Sequence, residues 1–129
     1  MSVGVALVSH SFDLVSGLRS ILRQIQPDIH VGIAGGTEDN GIGTNAFKIK
    51  AAIEASDAGS GVVILFDLGS ALINAELAVE MLEKDIKVNF CDAPLVEGAY
   101  TAVIEAGCGS SIEEVTRAAE SVKQIPKLR

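Results

Sequence analysis

Short apolar runs alternate along this chain with longer segments in which apolar residues recur every three or four positions. Four runs, at residues 3–8, 29–33, 62–66 and 86–91, are rich in Val, Ile, Leu and Ala and lack a helical period. Such runs are typical of strands buried on both faces of a parallel sheet. We therefore predict four strands.

The periodic segments between and after these strands predict five helices, because one apolar face at this spacing packs against a core. They cover residues 12–25, about 44–58, about 71–82, about 94–106 and a last helix from residue 111 that includes Val122. Pro27 ends the first helix, Ser70 is the predicted N-cap of the third, and Pro94 lies just inside the start of the fourth. Ser111 and Glu114 form a predicted capping box for the last.

Alternating strands and helices predict an α/β fold with an open, mostly parallel sheet of about four strands and helices on both faces. No internal repeat, low-complexity tract or linker interrupts the pattern. We expect residues 1–129 to form one domain, since this length suits a single hydrophobic core.

Composition narrows the possible functions. Hydrophobic residues make up 48% of the chain, and the formal net charge is −7. A nucleic-acid-binding domain needs a basic surface, so we expect no such partner. The longest apolar stretch, residues 62–66, is too short to span a bilayer. Cys91 and Cys108 lack the spacing of metal ligands, and no signal peptide precedes them, so we expect free thiols in a cytoplasmic protein.

Polar segments follow three of the predicted strands where a parallel sheet binds its ligands. His10 follows the first strand, Gly35, Gly36 and Thr37 follow the second, and Asp67 follows the third. Ligands bind open parallel sheets beyond the carboxyl ends of the strands. If the first strand lies between the second and third, all three segments share one crevice.

His10 is the candidate nucleophile, because a neutral imidazole nitrogen can attack phosphorus and form a covalent intermediate. Asp67 is the candidate acceptor that fixes the tautomer of the ring. Each has a simpler interpretation: His10 can be a loop residue at the start of a helix, and Asp67 a helix cap. We expect His30, the second histidine, to have a structural role, either pointing off one face of the sheet or lying near a sheet edge.

Two glycine-containing segments are candidates for stabilising a phosphoryl group through N–H and hydroxyl groups. They are Gly35, Gly36 and Thr37, and Gly69, Ser70 and Ala71; the second lies at a predicted helix N-terminus, which favours anions. The alternative for both is the geometry of a tight turn.

Several common phosphate and hydrolase motifs are missing. Residues 42 and 43 are Ile and Gly where a P-loop has Lys and Ser or Thr, and no dinucleotide fingerprint follows the first strand. No acidic cluster suited to Mg²⁺ accompanies His10, and no G-x-S-x-G elbow supports a hydrolase built on Ser9, His10 and Asp67. We therefore expect no metal or cofactor, and a phosphoryl group supplied by another protein.

At these residues the chain resembles the DhaM family, the phosphocarrier subunits of phosphoenolpyruvate-dependent dihydroxyacetone kinases, which are related to mannose-type enzyme IIA domains. The motifs are Val5-Ala6-Leu7-Val8-Ser9-His10-Ser11, Gly35-Gly36-Thr37 with Ile42-Gly43-Thr44, and Asp67-Leu68-Gly69-Ser70-Ala71 with Asn74-Ala75-Glu76. The resemblance implies that HPr phosphorylates His10 and that Asp67 orients its ring. It further implies transfer to ADP on the DhaL subunit, dihydroxyacetone bound by DhaK, and a homodimer. For the mechanism we expect in-line attack by Nε2, with Nδ1–H on Asp67.

Two alternatives stay open. One is a mannose-type enzyme IIA of a sugar-transport phosphotransferase system, although those domains typically carry Gly after the histidine and a Trp-Gly-Gly-Ser-Pro-like stretch after the aspartate. Here Ser11 follows His10, and Leu68 follows Asp67. The other is a non-catalytic binding domain. Because the sequence stops after the enzyme IIA-like region, we expect the chain to depend on free HPr.

Overall fold

A computed structural model describes residues 1–128, which form four β-strands and five α-helices. In chain order they are β1 (Gly4–Ser9), α1 (Phe12–Ile25), β2 (Val31–Gly35), α2 (Ala46–Ser56), β3 (Val62–Phe66), α3 (Leu72–Glu80), β4 (Val88–Phe90), α4 (Leu95–Gly107) and α5 (Ile112–Ser121). Short 3₁₀ turns, Gly69–Ala71 and Val122–Gln124, precede α3 and follow α5. Among the described residues, no helix is long and apolar enough to cross a membrane.

The four strands form one sheet in the order β2-β1-β3-β4, and all neighbouring pairs are parallel. The predicted α/β class and four-stranded parallel sheet are therefore confirmed. β1 lies between β2 and β3, the arrangement on which the shared crevice depends. Val8 pairs with Ala34 on one side and with Phe66 on the other, so the three strands end at the same edge of the sheet.

Helices cover both faces of the sheet and divide the hydrophobic core into two layers. α1, α4 and α5 pack on one face against side chains such as Val5 and Leu7, while α2 and α3 pack on the other against Ala6 and Val8. Successive side chains of a strand point to opposite faces of the sheet, and here helices bury both faces. This explains why β1 is a continuous apolar run, with all six residues buried.

Local hydrogen bonds set several helix starts. Ser111 accepts from the Glu114 N–H at 3.2 Å, and the Glu114 carboxylate accepts from the Ser111 N–H at 2.9 Å, so the predicted capping box is confirmed. α2 begins at Ala46 rather than near residue 44, because the Asn45 side chain caps it by accepting from the Lys48 N–H. Pro94 is the N-cap of α4 and not its first helical residue.

Ser70 is not the N-cap of α3, and that prediction is wrong. It lies inside the 3₁₀ turn Gly69–Ala71, and Ala71 precedes α3 without a capping side-chain hydrogen bond. The Ser70 hydroxyl points instead to His10. A serine before a helical pattern matches a cap locally, but the nearby imidazole is a competing partner that only the sheet topology supplies.

Both cysteines are free thiols, as predicted, and they lie in different surroundings. Cys91 is buried after β4, whereas Cys108 is exposed at the end of α4. Burial, together with the negative charge of Glu120, raises the pKa of the Cys91 thiol to about 12, despite a hydrogen bond with Thr116 that lowers it. Cys91 is therefore an inert core residue.

Candidate functional site

The parallel pairing of β1 and β3 brings the two main candidate residues together. His10 directly follows β1, and Asp67 directly follows β3. The Asp67 N–H donates to the Val8 carbonyl at 3.1 Å, which extends the ladder one residue past the register of Val8 with Phe66. The two side chains therefore leave neighbouring strands at the same edge, 57 residues apart in the chain but in direct contact.

One carboxylate holds both the ring and the backbone of His10. Asp67 Oδ1 lies 3.0 Å from His10 Nδ1, and Asp67 Oδ2 accepts from the His10 N–H at 2.9 Å. Two contacts from one planar group leave the imidazole little rotational freedom. The side chains are half-buried, with exposed fractions of 21% for His10 and 14% for Asp67, so the ring is positioned and still reachable.

Two further donors complete the surroundings of Asp67. The Ser9 hydroxyl donates to Oδ2 at 2.8 Å, and the Leu68 N–H donates to Oδ1 at 2.7 Å. Burial opposes ionisation of this carboxyl, but hydrogen bonds from the His10 N–H, the Ser9 hydroxyl, the His10 ring and the Leu68 N–H outweigh it. The pKa of Asp67 consequently lies below its ordinary value of 3.8.

This network defines the tautomer of His10. An ionised carboxylate can only accept hydrogen bonds, so Nδ1 carries the proton and donates it to Asp67. In the neutral ring Nε2 then carries a lone pair. Ser70 Oγ lies 3.0 Å from Nε2, and its hydroxyl is the donor there. The imidazole therefore presents Nε2 as its nucleophilic atom.

The loop after β2 touches the site through the backbone. The Gly43 N–H donates to the His10 carbonyl at 2.9 Å. The N–H groups of Gly36 and Thr37 already donate, to the Ser9 and Gly41 carbonyls, and the Thr37 hydroxyl accepts from the Gly41 N–H. In this structure the N–H groups of Gly36 and Thr37 are thus occupied, whereas the Thr37 hydroxyl accepts a hydrogen bond and keeps its own hydrogen. The Gly35 carbonyl accepts from the Lys48 ammonium.

Gly36 is required by the geometry of this loop. Its φ is +82°, and a Cβ at this position would lie 2.9 Å from the Gly41 carbonyl oxygen. A side chain would therefore be both strained and crowded. The glycine segment shapes a turn that supports His10, which agrees with the alternative weighed for it from the sequence.

The turn Gly69–Ala71 contacts the His10 ring through Ser70, and its three predicted phosphate-stabilising residues differ in whether their N–H groups are available. The Ala71 N–H donates to the Leu68 carbonyl at 3.0 Å, so it is committed within the turn. The Gly69 and Ser70 N–H groups have no acceptor in the part of the chain that the structure describes. Unpaired N–H groups at the start of a helical segment favour a nearby anion.

Two residues that contribute to the site, Ser9 and Gly43, were not assigned these roles from the sequence. Ser9 was considered only as part of a hydrolase, yet its hydroxyl binds Asp67. Gly43 was quoted as part of a motif, with no role for its N–H. A polar residue at the end of an otherwise apolar strand was the available signal for Ser9. No local signal existed for Gly43, because its acceptor is 33 residues away in the chain.

His30 lies outside the site. It precedes β2 at the amino end of an edge strand, as its predicted position near a sheet edge requires, and it is exposed. Residues 1–128 also contain no group of three or more His, Cys, Asp or Glu placed to hold a metal ion. At the carboxyl edge of the sheet, the structure places one oriented imidazole beside a carboxylate.

A parallel α/β domain that presents such an imidazole at the carboxyl edge of its sheet belongs to the class of domains able to carry a group on histidine. The sequence model of the family described as the PTS system fructose IIA component matches residues 4–116. The chain belongs to this family, and the predicted enzyme IIA-like character is confirmed.

Related proteins align with nearly the whole of this chain. The chain is 39% identical over 128 residues to a protein from Providencia stuartii named as the phosphoryl donor subunit DhaM of a PEP-dependent dihydroxyacetone kinase, and it covers 27% of that protein. It is 35% identical over 122 residues to the DhaM phosphotransferase subunit from Lactococcus lactis and covers 97% of it. Each alignment includes 95% of this chain.

A crystal structure of a protein of unknown function is also similar. It is 35% identical and superposes with a TM-score of 0.82, covering 94% of this chain and 95% of the other. The match to the family model and the identities with the two DhaM subunits confirm the resemblance to the DhaM family predicted from the motifs.

Proposed function

We propose that this chain is a phosphohistidine carrier that accepts a phosphoryl group on Nε2 of His10 and passes it on as the phosphoryl donor subunit of a dihydroxyacetone kinase. The observation that carries this proposal is the contact between Nδ1 of His10 and Asp67 at 3.0 Å. It leaves the Nε2 lone pair as the reactive electron pair of a half-exposed ring. Membership of the family and the names of the relatives support it.

The transfer step needs no metal and no general base. The Nε2 lone pair attacks phosphorus in line, the new N–P bond forms, and the bond from phosphorus to the donor's nitrogen breaks with its electron pair leaving on that nitrogen. Because Nε2 has no proton to lose, Nδ1–H remains in place. The ring becomes formally cationic, and the Asp67 carboxylate stabilises that charge.

Ser70 and its turn are placed to receive the phosphoryl group. Its hydroxyl bonds to Nε2 at 3.0 Å before transfer, and we propose that it donates to a phosphoryl oxygen afterwards. The unpaired N–H groups of Gly69 and Ser70 are the other proposed donors. Catalysis of this kind consists mainly of positioning and charge stabilisation.

The proposed donor is phospho-HPr, and the proposed acceptor is ADP bound to a DhaL subunit, with DhaK binding dihydroxyacetone. The names of the relatives support a role as phosphoryl donor within a dihydroxyacetone kinase. Support for HPr as the donor and for ADP on DhaL as the acceptor comes from the motif resemblance. A homodimer belongs to the same proposal. Since two proteins must reach one imidazole in turn, each interface is expected to be small and transient.

A sugar-transport enzyme IIA is the second candidate, and the description of the matching family as a fructose IIA component favours it. The two functions share the first step and differ in the acceptor. An enzyme IIA passes its phosphoryl group to a sugar-specific enzyme IIB, and the dihydroxyacetone kinase subunit passes it to ADP on DhaL.

One experiment tests the first step. The purified chain is incubated with phosphoenolpyruvate, enzyme I and HPr, and its intact mass is measured before and after mild acid. We expect one acid-labile phosphoryl group on the wild-type chain and on His30→Ala, and none on His10→Ala. Phosphorylation of His10→Ala, or of neither wild type nor control, would contradict the proposal.

A second experiment identifies the acceptor. The phosphorylated chain, freed of enzyme I and HPr, is mixed with DhaL and ADP or with an enzyme IIB. Rapid loss of the phosphoryl group to ADP, with formation of ATP bound to DhaL, supports the kinase assignment. Discharge to enzyme IIB alone would assign the chain to sugar transport.

A further inference from the structure

Ser9 is a buried polar residue at the point where β1 enters the site. Among the described residues, Ser9 and Ser56 are the fully buried polar side chains, each with an exposed fraction of 0%. Ser56 serves the scaffold, because its hydroxyl contacts the backbone of Val5, Gly32 and Ala52. The Ser9 hydroxyl bonds to Asp67 instead.

In the hydrogen bond between Ser9 and Asp67, the Ser9 hydroxyl is the donor and the carboxylate is the acceptor. The Ser11 N–H donates to Ser9 Oγ at 3.0 Å, which occupies a lone pair of that oxygen. The Ser9 hydrogen is then free to point to Asp67 Oδ2 at 2.8 Å. Ser11 is also the N-cap of α1. The start of that helix therefore holds the Ser11 N–H in place as the donor to Ser9.

We propose that Ser9 is a positioning residue for phosphoryl transfer: it holds Oδ2 of Asp67, so that Oδ1 keeps His10 in the Nδ1–H tautomer with Nε2 free to attack. This inference rests on the proposed function and assigns a role that the phosphohistidine assignment alone does not require. Ser9 touches neither the reacting nitrogen nor the phosphoryl group, and it acts through Asp67.

A positioning residue is needed because positive charge develops on the His10 ring during transfer. When Nε2 bonds to phosphorus, the imidazole gains positive charge, and the carboxylate must stay ionised and in line with Nδ1. A carboxylate whose second oxygen is held by two donors, the Ser9 hydroxyl and the His10 N–H, cannot easily rotate away. Removing Ser9 leaves the His10 N–H in place, so we expect weakened and not abolished positioning.

The test compares Ser9→Ala and Ser9→Cys with Ser56→Ala. Cysteine keeps the branching of the side chain, with a larger sulfur atom, while supplying only a weak donor, and alanine removes the donor without adding bulk. Ser56→Ala removes a buried hydroxyl remote from the ring. Two properties are measured: the imidazole ¹⁵N shifts, which report the tautomer without phosphorylation, and single-turnover rates with phospho-HPr and with phosphoramidate, a small phosphoryl donor that needs no docking surface.

We expect both Ser9 variants to lose part of the Nδ1–H tautomer and to accept the phosphoryl group about tenfold more slowly from either donor, the size of effect expected for one hydrogen bond to a charged group. The concentration of phospho-HPr giving the half-maximal rate should not change. Ser56→Ala should lower stability but keep the wild-type tautomer and rate.

Three outcomes would overturn the inference: folded Ser9 variants with the wild-type tautomer and rate, an equal loss in Ser56→Ala, or failure of both Ser9 variants to fold while Ser56→Ala folds, which would assign Ser9 a purely structural role. Failure of the proposed function is distinguishable, because the wild-type chain would then accept no phosphoryl group while the ¹⁵N shifts still report the effect of Ser9.

Discussion

The two histidines of this chain occupy opposite ends of neighbouring strands and differ in almost every contact. His10 follows β1 at the carboxyl edge of the sheet, where Asp67, Ser70 and the backbone of Gly43 hold it. His30 precedes β2 at the amino edge. Its ring forms no hydrogen bond or ion pair with any side chain in residues 1–128, and it lines a groove of about 500 Å³ with Arg19 and Arg23.

The difference lies in the surroundings of the two imidazoles and not in their accessibility. Both rings are accessible, and both lie next to a strand of the same sheet. Only His10 has a carboxylate that fixes the proton on Nδ1 and can balance a developing positive charge. The predictions below test this contrast from the largest expected effect to the smallest.

Replacing each histidine with alanine should give the largest difference in phosphoryl-transfer rate between the two sites. His10→Ala is expected to abolish phosphoryl transfer, because no other described side chain presents an oriented imidazole at that edge, and His30→Ala should keep the wild-type rate. Transfer rates from phospho-HPr, with circular dichroism to show that both variants fold, provide the measurement. Equal activity of the two variants would remove the contrast.

Removing the carboxylate should make His10 resemble His30. Asp67→Ala is expected to slow phosphoryl transfer by about a hundredfold while the fold remains intact, since the ring loses its orienting acceptor and its counter-charge. The matched control is Asp13→Ala, in the first turn of α1 near the site, which should leave the rate unchanged. A wild-type rate for Asp67→Ala would show that the carboxylate is dispensable.

The hydroxyl on the other ring nitrogen should contribute less. Ser70→Ala is expected to slow transfer roughly three- to tenfold and to shorten the lifetime of the phosphorylated protein, because one hydrogen bond to the phosphoryl group is lost. Quench-flow rates and the decay of the intact phosphorylated mass measure the two effects. Ser20→Ala, on the exposed side of α1, is the control.

The smallest expected effect is on stability in acid. The pKa of Asp67 is lower in the folded chain than its ordinary value of 3.8, so ionised Asp67 stabilises the fold above that pH. The contribution is lost as the pH falls below 3.8 and through the lower folded-state pKa. Urea unfolding between pH 7 and pH 2 should therefore show a smaller acid-dependent loss in Asp67→Ala than in the wild type, and parallel curves would refute this.

Much of the architecture could be predicted from the sequence because it depends on local patterns. Apolar runs and helical periodicity identified all four strands and five helices, and α1 and β3 match their predicted bounds. β4 was predicted over residues 86–91 but spans only Val88–Phe90, which pair with Val62, Val63 and Ile64 of β3. The pairing of His10 with Asp67 followed from the rule that parallel strands end at one edge.

The amino-acid sequence by itself determined which elements form, that the sheet is parallel, and which imidazole stands at its carboxyl edge. Only the tertiary structure decided how individual hydrogen bonds are used. The Ser70 hydroxyl contacts His10 and does not cap a helix, the Gly36 N–H donates to the Ser9 carbonyl, and the Ser9 hydroxyl donates to Asp67. The reason is physical. Periodicity reports burial along the chain, whereas the partner of a polar group depends on which distant atoms the fold brings within about 3 Å.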